Sequence, residues 1–153
     1  MNFLFENIKR ICMVYMKNES KKFVIMADDD EDDRSVAYEA FCECGPTASF
    51  FTVPDGSALI SFLSVRSKDT PSELPSLILL DLNMPLKNGH EALKEIRSNR
   101  TFNKIHIVIL TSSREECDRV LGKIEGADGI RTKPNTYSEW VHMMKSICDT
   151  WLI

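Results

Sequence analysis

Short, wholly apolar runs alternate along this chain with longer stretches in which apolar residues recur every three or four positions. The first run, Phe23-Val-Ile-Met-Ala27, stops at polar residues and is followed by Ala37, Ala40, Phe41 and Cys44 at helical spacing, then by Gly45-Pro46. That order predicts a strand, a loop, a helix and a stop. A second strand is predicted over Ala48–Val53, a turn at Asp55-Gly56, and then a helix carrying Leu59, Phe62 and Leu63. The polar stretch from Arg66 to Ser76, with two prolines, predicts the longest loop. Leu77-Ile-Leu-Leu80 is apolar throughout, which suits a strand covered on both faces. Asn88-x-x-Glu91 has capping-box spacing ahead of a helix with Ala92, Leu93 and Ile96 inward. Ile105–Leu110 predicts the fourth strand. Ser113-x-x-Glu116 then opens a helix with Cys117, Val120, Leu121 and Ile124 inward and Gly126 as its stop. A fifth strand, Gly129–Thr132, precedes Pro134 and a last helix, which Thr136-x-x-Glu139 caps and which carries Tyr137, Trp140, Val141, Met144, Ile147 and Trp151 on one face. Five strand–helix pairs in alternation predict an α/β fold built on a doubly wound parallel sheet.

Length and composition narrow this picture. A chain of 153 residues, 43% hydrophobic and 27% charged, suits one globular domain. It has no apolar run of about 18 residues that could span a bilayer. Six consecutive acids, Asp28 to Asp33, follow the first strand; removing these six from the 23 acids leaves 17 against 19 Lys and Arg. The negative charge is therefore local, and without a broad basic face nucleic-acid binding has little electrostatic support. Five scattered cysteines with no C-x-x-C spacing indicate a reducing cytoplasm. Residues 1–21 read as a flexible extension ahead of a domain over 22–153. Leu4, Ile8, Ile11 and Tyr15 share one helical face there, which leaves a short partner-binding or membrane-surface helix open.

In an open parallel sheet the functional crevice lies beyond the carboxyl ends of the strands. Those ends deliver Asp28 and Asp29, then Asp81, then Thr111, then Lys133. Three carboxylates crowded together repel one another, and an oxygen-only set suits a hard cation such as Mg2+. With the cation in place, an anion can enter against Lys133 and Thr111, and a phosphoryl group is the natural one. Asp81, placed by the central buried strand, is the candidate nucleophile for an aspartyl-phosphate. Asp30 to Asp33 read as solvated residues of the following loop and helix start.

The acid pair, the Asp81-Leu-Asn-Met-Pro85 stretch with Gly89 beyond it, Thr111-Ser112 and the Gly126-Ala127 to Lys133-Pro134 segment together resemble the receiver domain of two-component response regulators, the CheY-like family. The likeness runs from about Lys22 to the end of the chain, and it looks closest to single-domain receivers that serve phytochrome-type and other hybrid sensor kinases. It implies a five-stranded sheet in the order 2-1-3-4-5. It also implies phosphorylation of Asp81 by a sensor histidine kinase or phosphotransfer protein. Mg2+ would be held by Asp28, Asp29, Asp81 and the Asn83 backbone carbonyl, with Lys133 against the phosphoryl oxygens and Thr111 as the switch. Such a protein transfers the group to itself and loses it slowly, without turning over a separate substrate. The resemblance places the output surface on the fourth helix, fifth strand and fifth helix, about Glu115 to Ile153. With 19 residues after Pro134, too few for a DNA-binding module, signalling is expected by protein contact.

One position departs from the family. Three residues before the lysine the family usually carries an aromatic that turns inward when the threonine moves, and here Ile130 stands there. This motivates an alternative, a degenerate receiver that binds partners independently of phosphorylation. Two other classes fit less well. A dehalogenase-type phosphatase would have a second acid where Asn83 stands, and a flavodoxin-like binder would have a first loop rich in Ser, Thr and Gly instead of acids.

Overall fold

The computed structural model describes residues 22–121, 123–124 and 126–152. The expected flexible extension over 1–21, with its amphipathic stretch, lies outside the described residues. Five strands, β1 (Phe23–Ala27), β2 (Ser49–Val53), β3 (Leu77–Asp81), β4 (His106–Thr111) and β5 (Gly129–Thr132), form one sheet. Their order is β2-β1-β3-β4-β5 and every pairing is parallel. Helices α1 (Glu31–Glu43), α2 (Gly56–Asp69), α3 (Gly89–Ser98), α4 (Arg114–Val120) and α5 (Tyr137–Trp151) make the crossovers, with a single 3-10 turn over Arg100–Phe102 after α3.

Side chains alternate between the two faces of the sheet, so each strand feeds two cores. Val24, Met26, Leu77, Leu79, Val108 and Leu110 pack under α1 and α5 with Ala37, Ala40, Phe41, Trp140, Met144 and Ile147. Phe23, Ile25, Ile78, Leu80, Ile107 and Ile109 face the opposite way, against Leu59, Phe62 and Leu63 of α2, Leu93 and Ile96 of α3, and Val120 of α4. Leu79 sits at the centre, opposite Met26 on one side and Val108 on the other. Every residue of β1 and β3 is buried, which accounts for their unbroken apolar runs.

Strand ends move by one residue, and two helix ends move farther. Helix α2 continues through Asp69, so the loop begins four residues later than Arg66. Arg66 stays helical because its guanidinium has partners there, lying over the rings of Phe23 and Phe62 and 3.4 Å from Glu73. Helix α4 stops at Val120, well short of Gly126. Leu121 leaves the helical region at ψ 123° and is 63% exposed, and the glycine next in sequence has poor helix propensity. The following segment is held instead by Arg97, whose guanidinium donates to the carbonyls of Phe102 (3.1 Å), Ile105 (2.9 Å) and Gly126 (2.7 Å) and pairs with Asp128 at 3.1 Å. At the sheet edge, Arg131 of β5 donates to the Ile130 carbonyl at 2.9 Å.

Candidate functional site

The sheet's hydrogen-bond ladder runs past the strand ends and fixes the residues there. Asp28 N–H donates to Val53 O (3.1 Å), Leu82 N–H to Leu110 O (3.3 Å) and Lys133 N–H to Thr111 O (2.7 Å). Gly89 lets α3 close on this edge, since a Cβ there would run into Asp81 O and lie 2.7 Å from Leu82 Cα.

The structure brings Asp28, Asp29, Asp81 and Lys133 together, as the strand ends predict. Asp28, Asp81 and Thr111 are buried, while Asp29 is exposed at the mouth. Carboxylate oxygens of Asp28, Asp29 and Asp81 lie within 4.8 Å of one another. Lys133 Nζ stands 2.7 Å from Asp28 Oδ2, 2.9 Å from Asp33 Oδ2 and 3.4 Å from Asp81 Oδ2. The Asp28 contact is the shortest of the three, and the carboxylate that makes it is fully buried.

Burial, then the neighbouring Asp28 charge, pushes the Asp81 carboxyl from its ordinary 3.8 up to about 7 against the pull of Lys133. Burial likewise raises Asp28, opposed by Lys133 and the Asp30 N–H. Burial works to lower the Lys133 ammonium, but hydrogen bonds and charge from Asp28 and Asp33, with the Asp81 charge, outweigh it and raise its pKa. One lysine thus stands among three carboxylates, two of them buried, and negative charge is in excess. An oxygen-only set in that condition fits a hard divalent cation such as Mg2+.

The remaining predicted positions also lie at this edge. Asn83 follows Asp81 by two residues, and its N–H donates to Asp81 Oδ1 at 3.3 Å. The Thr111 hydroxyl donates along its own loop to Ser113 O at 3.1 Å. Ile130 is half-buried against the core.

The acid run needs correcting. Asp30 is the N-cap of α1, accepting from the N–H groups of Asp32 (2.9 Å) and Asp33 (3.0 Å). Asp33 is no solvated bystander, since it holds Lys133. No spacing in the sequence singles Asp33 out, because the helix begins only after the Asp30 cap and Asp33 is one of three acids in its first turn. The capping boxes also differ from expectation. The box at Thr136 and Glu139 is complete. At Ser113 only the bond from Glu116 N–H to Ser113 Oγ (3.1 Å) forms, and the Glu116 side chain turns to Asn83 and Ser112. At Asn88 the Glu91 N–H bond forms, and the Glu91 carboxylate meets the Asn88 side chain instead of its backbone.

Comparison with known proteins agrees with this geometry. Residues 24–145 match the response regulator receiver domain. Response regulator Rcp1 of Synechocystis sp. is 30% identical over 139 residues, covering 90% of this chain and 95% of Rcp1. Two solved structures superpose at 30% identity. The phosphorylated cyanobacterial phytochrome response regulator RcpA gives a TM-score of 0.75 over 87% of this chain and 95% of that one. The Mn2+-bound form of Rcp1 gives 0.72 over 86% and 94%. From the strand order, the acid pair, Asp81, Thr111 and Lys133 at one edge of the sheet, and a match running through most of its length, the chain belongs to the response regulator receiver domain family of two-component signalling.

Proposed function

We propose that this receiver is a phosphorylation switch whose acceptor is Asp81, fed by a sensor histidine kinase or phosphotransfer protein and signalling by protein contact. The observation that carries the reading is buried Asp81 meeting Asp28, Asp29 and Lys133 at the carboxyl ends of β3, β1 and β5. The ionised Asp81 carboxylate attacks the phosphorus of a phosphohistidine. The P–N bond breaks, its electron pair goes to the imidazole nitrogen, and that nitrogen takes a proton from solvent. Asp28, Asp29, Asp81 and the Asn83 carbonyl would hold Mg2+, which when bound neutralises charge on the carboxylates and the entering group. Lys133 leaves its carboxylate partners to pair with phosphoryl oxygens, and Asp33 keeps the ammonium in place until then. Thr111 exchanges its bond to Ser113 O for one to the phosphoryl group.

Downstream contact falls on the face of α4, β5 and α5, where Leu121 is 63% exposed. The free thiols of Cys42, Cys44, Cys117 and Cys148 suit a reducing cytoplasm. Among the described residues no helix is long and apolar enough to cross a membrane. The kinship with a phytochrome response regulator makes a phytochrome-type kinase the first donor to try. Ile130 favours the phosphorylation-independent module as the competing reading. Intact mass after incubation with acetyl phosphate and Mg2+ decides between them. A single phosphoryl adduct, absent with chelator and absent from Asp81→Asn, is expected; an adduct persisting on Asp81→Asn would show that another residue is the acceptor, and none on wild type from either acetyl phosphate or a phosphohistidine protein would favour the module.

A further inference from the structure

Helix α4 is joined to the site by one carboxylate. Glu116, in its first turn, has a side chain only 12% exposed. Oε1 accepts from Asn83 Nδ2 at 2.8 Å, while Oε2 accepts from Ser112 Oγ at 3.0 Å and from Ser112 N–H at 3.2 Å. Arg119 lies farther off, 3.8 Å from Oε1. The Asn83 hydrogen bond, reinforced by those from Ser112, holds the Glu116 carboxyl below the usual range despite some burial, so it is anionic at neutral pH. Asn83 in turn donates its N–H to Asp81 Oδ1, and Ser112 adjoins Thr111, whose hydroxyl donates to Ser113 O at 3.1 Å with Arg131 O of β5 at 3.5 Å as its other acceptor. The contacts therefore run from the reacting carboxylate through Asn83 to Glu116, and back through Ser112 to the residue beside Thr111.

We propose that Glu116 is a positioning residue that ties the loops flanking Asp81 and Thr111 to α4, so that occupation of Asp81 displaces α4. The inference rests on phosphorylation of Asp81. A phosphoryl group changes the charge that the Asn83 N–H faces and draws Thr111 away from Ser113 O. Both loops then move while Glu116 keeps its hold on them. This gives the chain a polar linkage to its output helix at a place where Ile130 offers no swinging ring.

Alanine at position 116 isolates the linkage. It removes both acceptor oxygens at once, whereas glutamine could keep the Asn83 arm by a turn of the Asn83 amide. Wild type, Glu116→Ala, Asn83→Ala and the double variant are treated with acetyl phosphate and Mg2+. Intact mass follows the adduct and its decay, and hydrogen exchange follows the peptide over residues 114–121. Wild type is expected to form the adduct and change its exchange over α4. Glu116→Ala is expected to form the adduct, lose the α4 response and change adduct lifetime severalfold, because the Asn83 side chain is released beside the phosphoryl group. Asn83→Ala, which keeps the backbone carbonyl, is expected to lose the α4 response as well, and the double variant to add nothing to that loss. A Glu116→Ala chain that carries the adduct and responds over α4 as wild type does would overturn the linkage while leaving Asp81 as acceptor. No adduct on wild type from either acetyl phosphate or a phosphohistidine protein would overturn the acceptor reading and the linkage with it. Thermal melts establish that each variant is folded, and Asn83→Ala carries the test if Glu116→Ala is not.

Discussion

Replacing Asp81 by Asn in the metal-free protein should stabilise it, by an amount set by pH. The folded chain binds the Asp81 proton more tightly than the unfolded chain between 3.8 and about 7. Stabilisation from that proton is complete below 3.8 and is lost as pH rises through about 7. Asn mimics the protonated carboxyl, keeps Oδ1 for the Asn83 N–H, and does not titrate. The interval from 3.8 to about 7, at about 1.4 kcal/mol per pH unit, sets a ceiling of about 4 kcal/mol for the advantage of Asn at pH 8. The shift to about 7 is already net of the attraction of Lys133, and relaxation and water entry around the site reduce the ceiling to about 2–3 kcal/mol, or about 5–10 °C in Tm for a chain this size. Urea unfolding with chelator at pH 4, 6 and 8 should show the two chains nearly equal at pH 4 and diverging upward. Millimolar Mg2+ should raise the Tm of wild type at pH 8 and reverse the order, because Asn removes a ligand. A difference that stays flat with pH, or an Asn chain less stable than wild type at pH 8 without metal, would refute the account of Asp81 as a carboxylate held against repulsion.

Two other substitutions probe the same edge. Lys133→Met leaves Asp28, Asp33 and Asp81 without their cation and should cost about 3–5 kcal/mol at pH 8, less at pH 5, where protonation relieves the repulsion; equal losses in urea at both pH values would contradict this. Gly89→Ala forces a methyl onto Asp81 O and Leu82 and should cost more than about 2 kcal/mol and slow acetyl phosphate labelling, and a variant matching wild type in both would show that α3 can retreat.

The parts of the fold readable from sequence are those where a single physical cause acts. β1 and β3 announce themselves because both faces are covered, and Asp28, Asp81 and Thr111 because each stands at the carboxyl end of a buried strand, while Lys133 follows the half-exposed edge strand β5. The end of α4 was hidden because Leu121 and Ile124 continue a helical period, whereas the chain there follows the carbonyl contacts of Arg97, 29 residues earlier than Gly126. Asp33 was hidden among acids that a helix start favours anyway, and its partner lies 100 residues away. Glu116 fits a capping box equally well, and only the approach of Asn83 decides where its carboxylate goes.

The order of the strands bears on how the chain is made. Once β1 has paired with β2, β3, β4 and β5 add in sequence order on the same side. A nascent chain can thus widen its sheet one strand at a time, without inserting a strand between two already paired. The hazard along this route is β4, whose Ile107-Val-Ile-Leu110 run is completely buried in the finished protein. Until β5 emerges, that run is an open edge, and until Trp140, Met144 and Ile147 of α5 follow, one of its faces is bare. Chains stalled between about residue 111 and the last helix would present an uncharged, β-branched edge to one another, so synthesis arrest there should drive aggregation more strongly than arrest before β4.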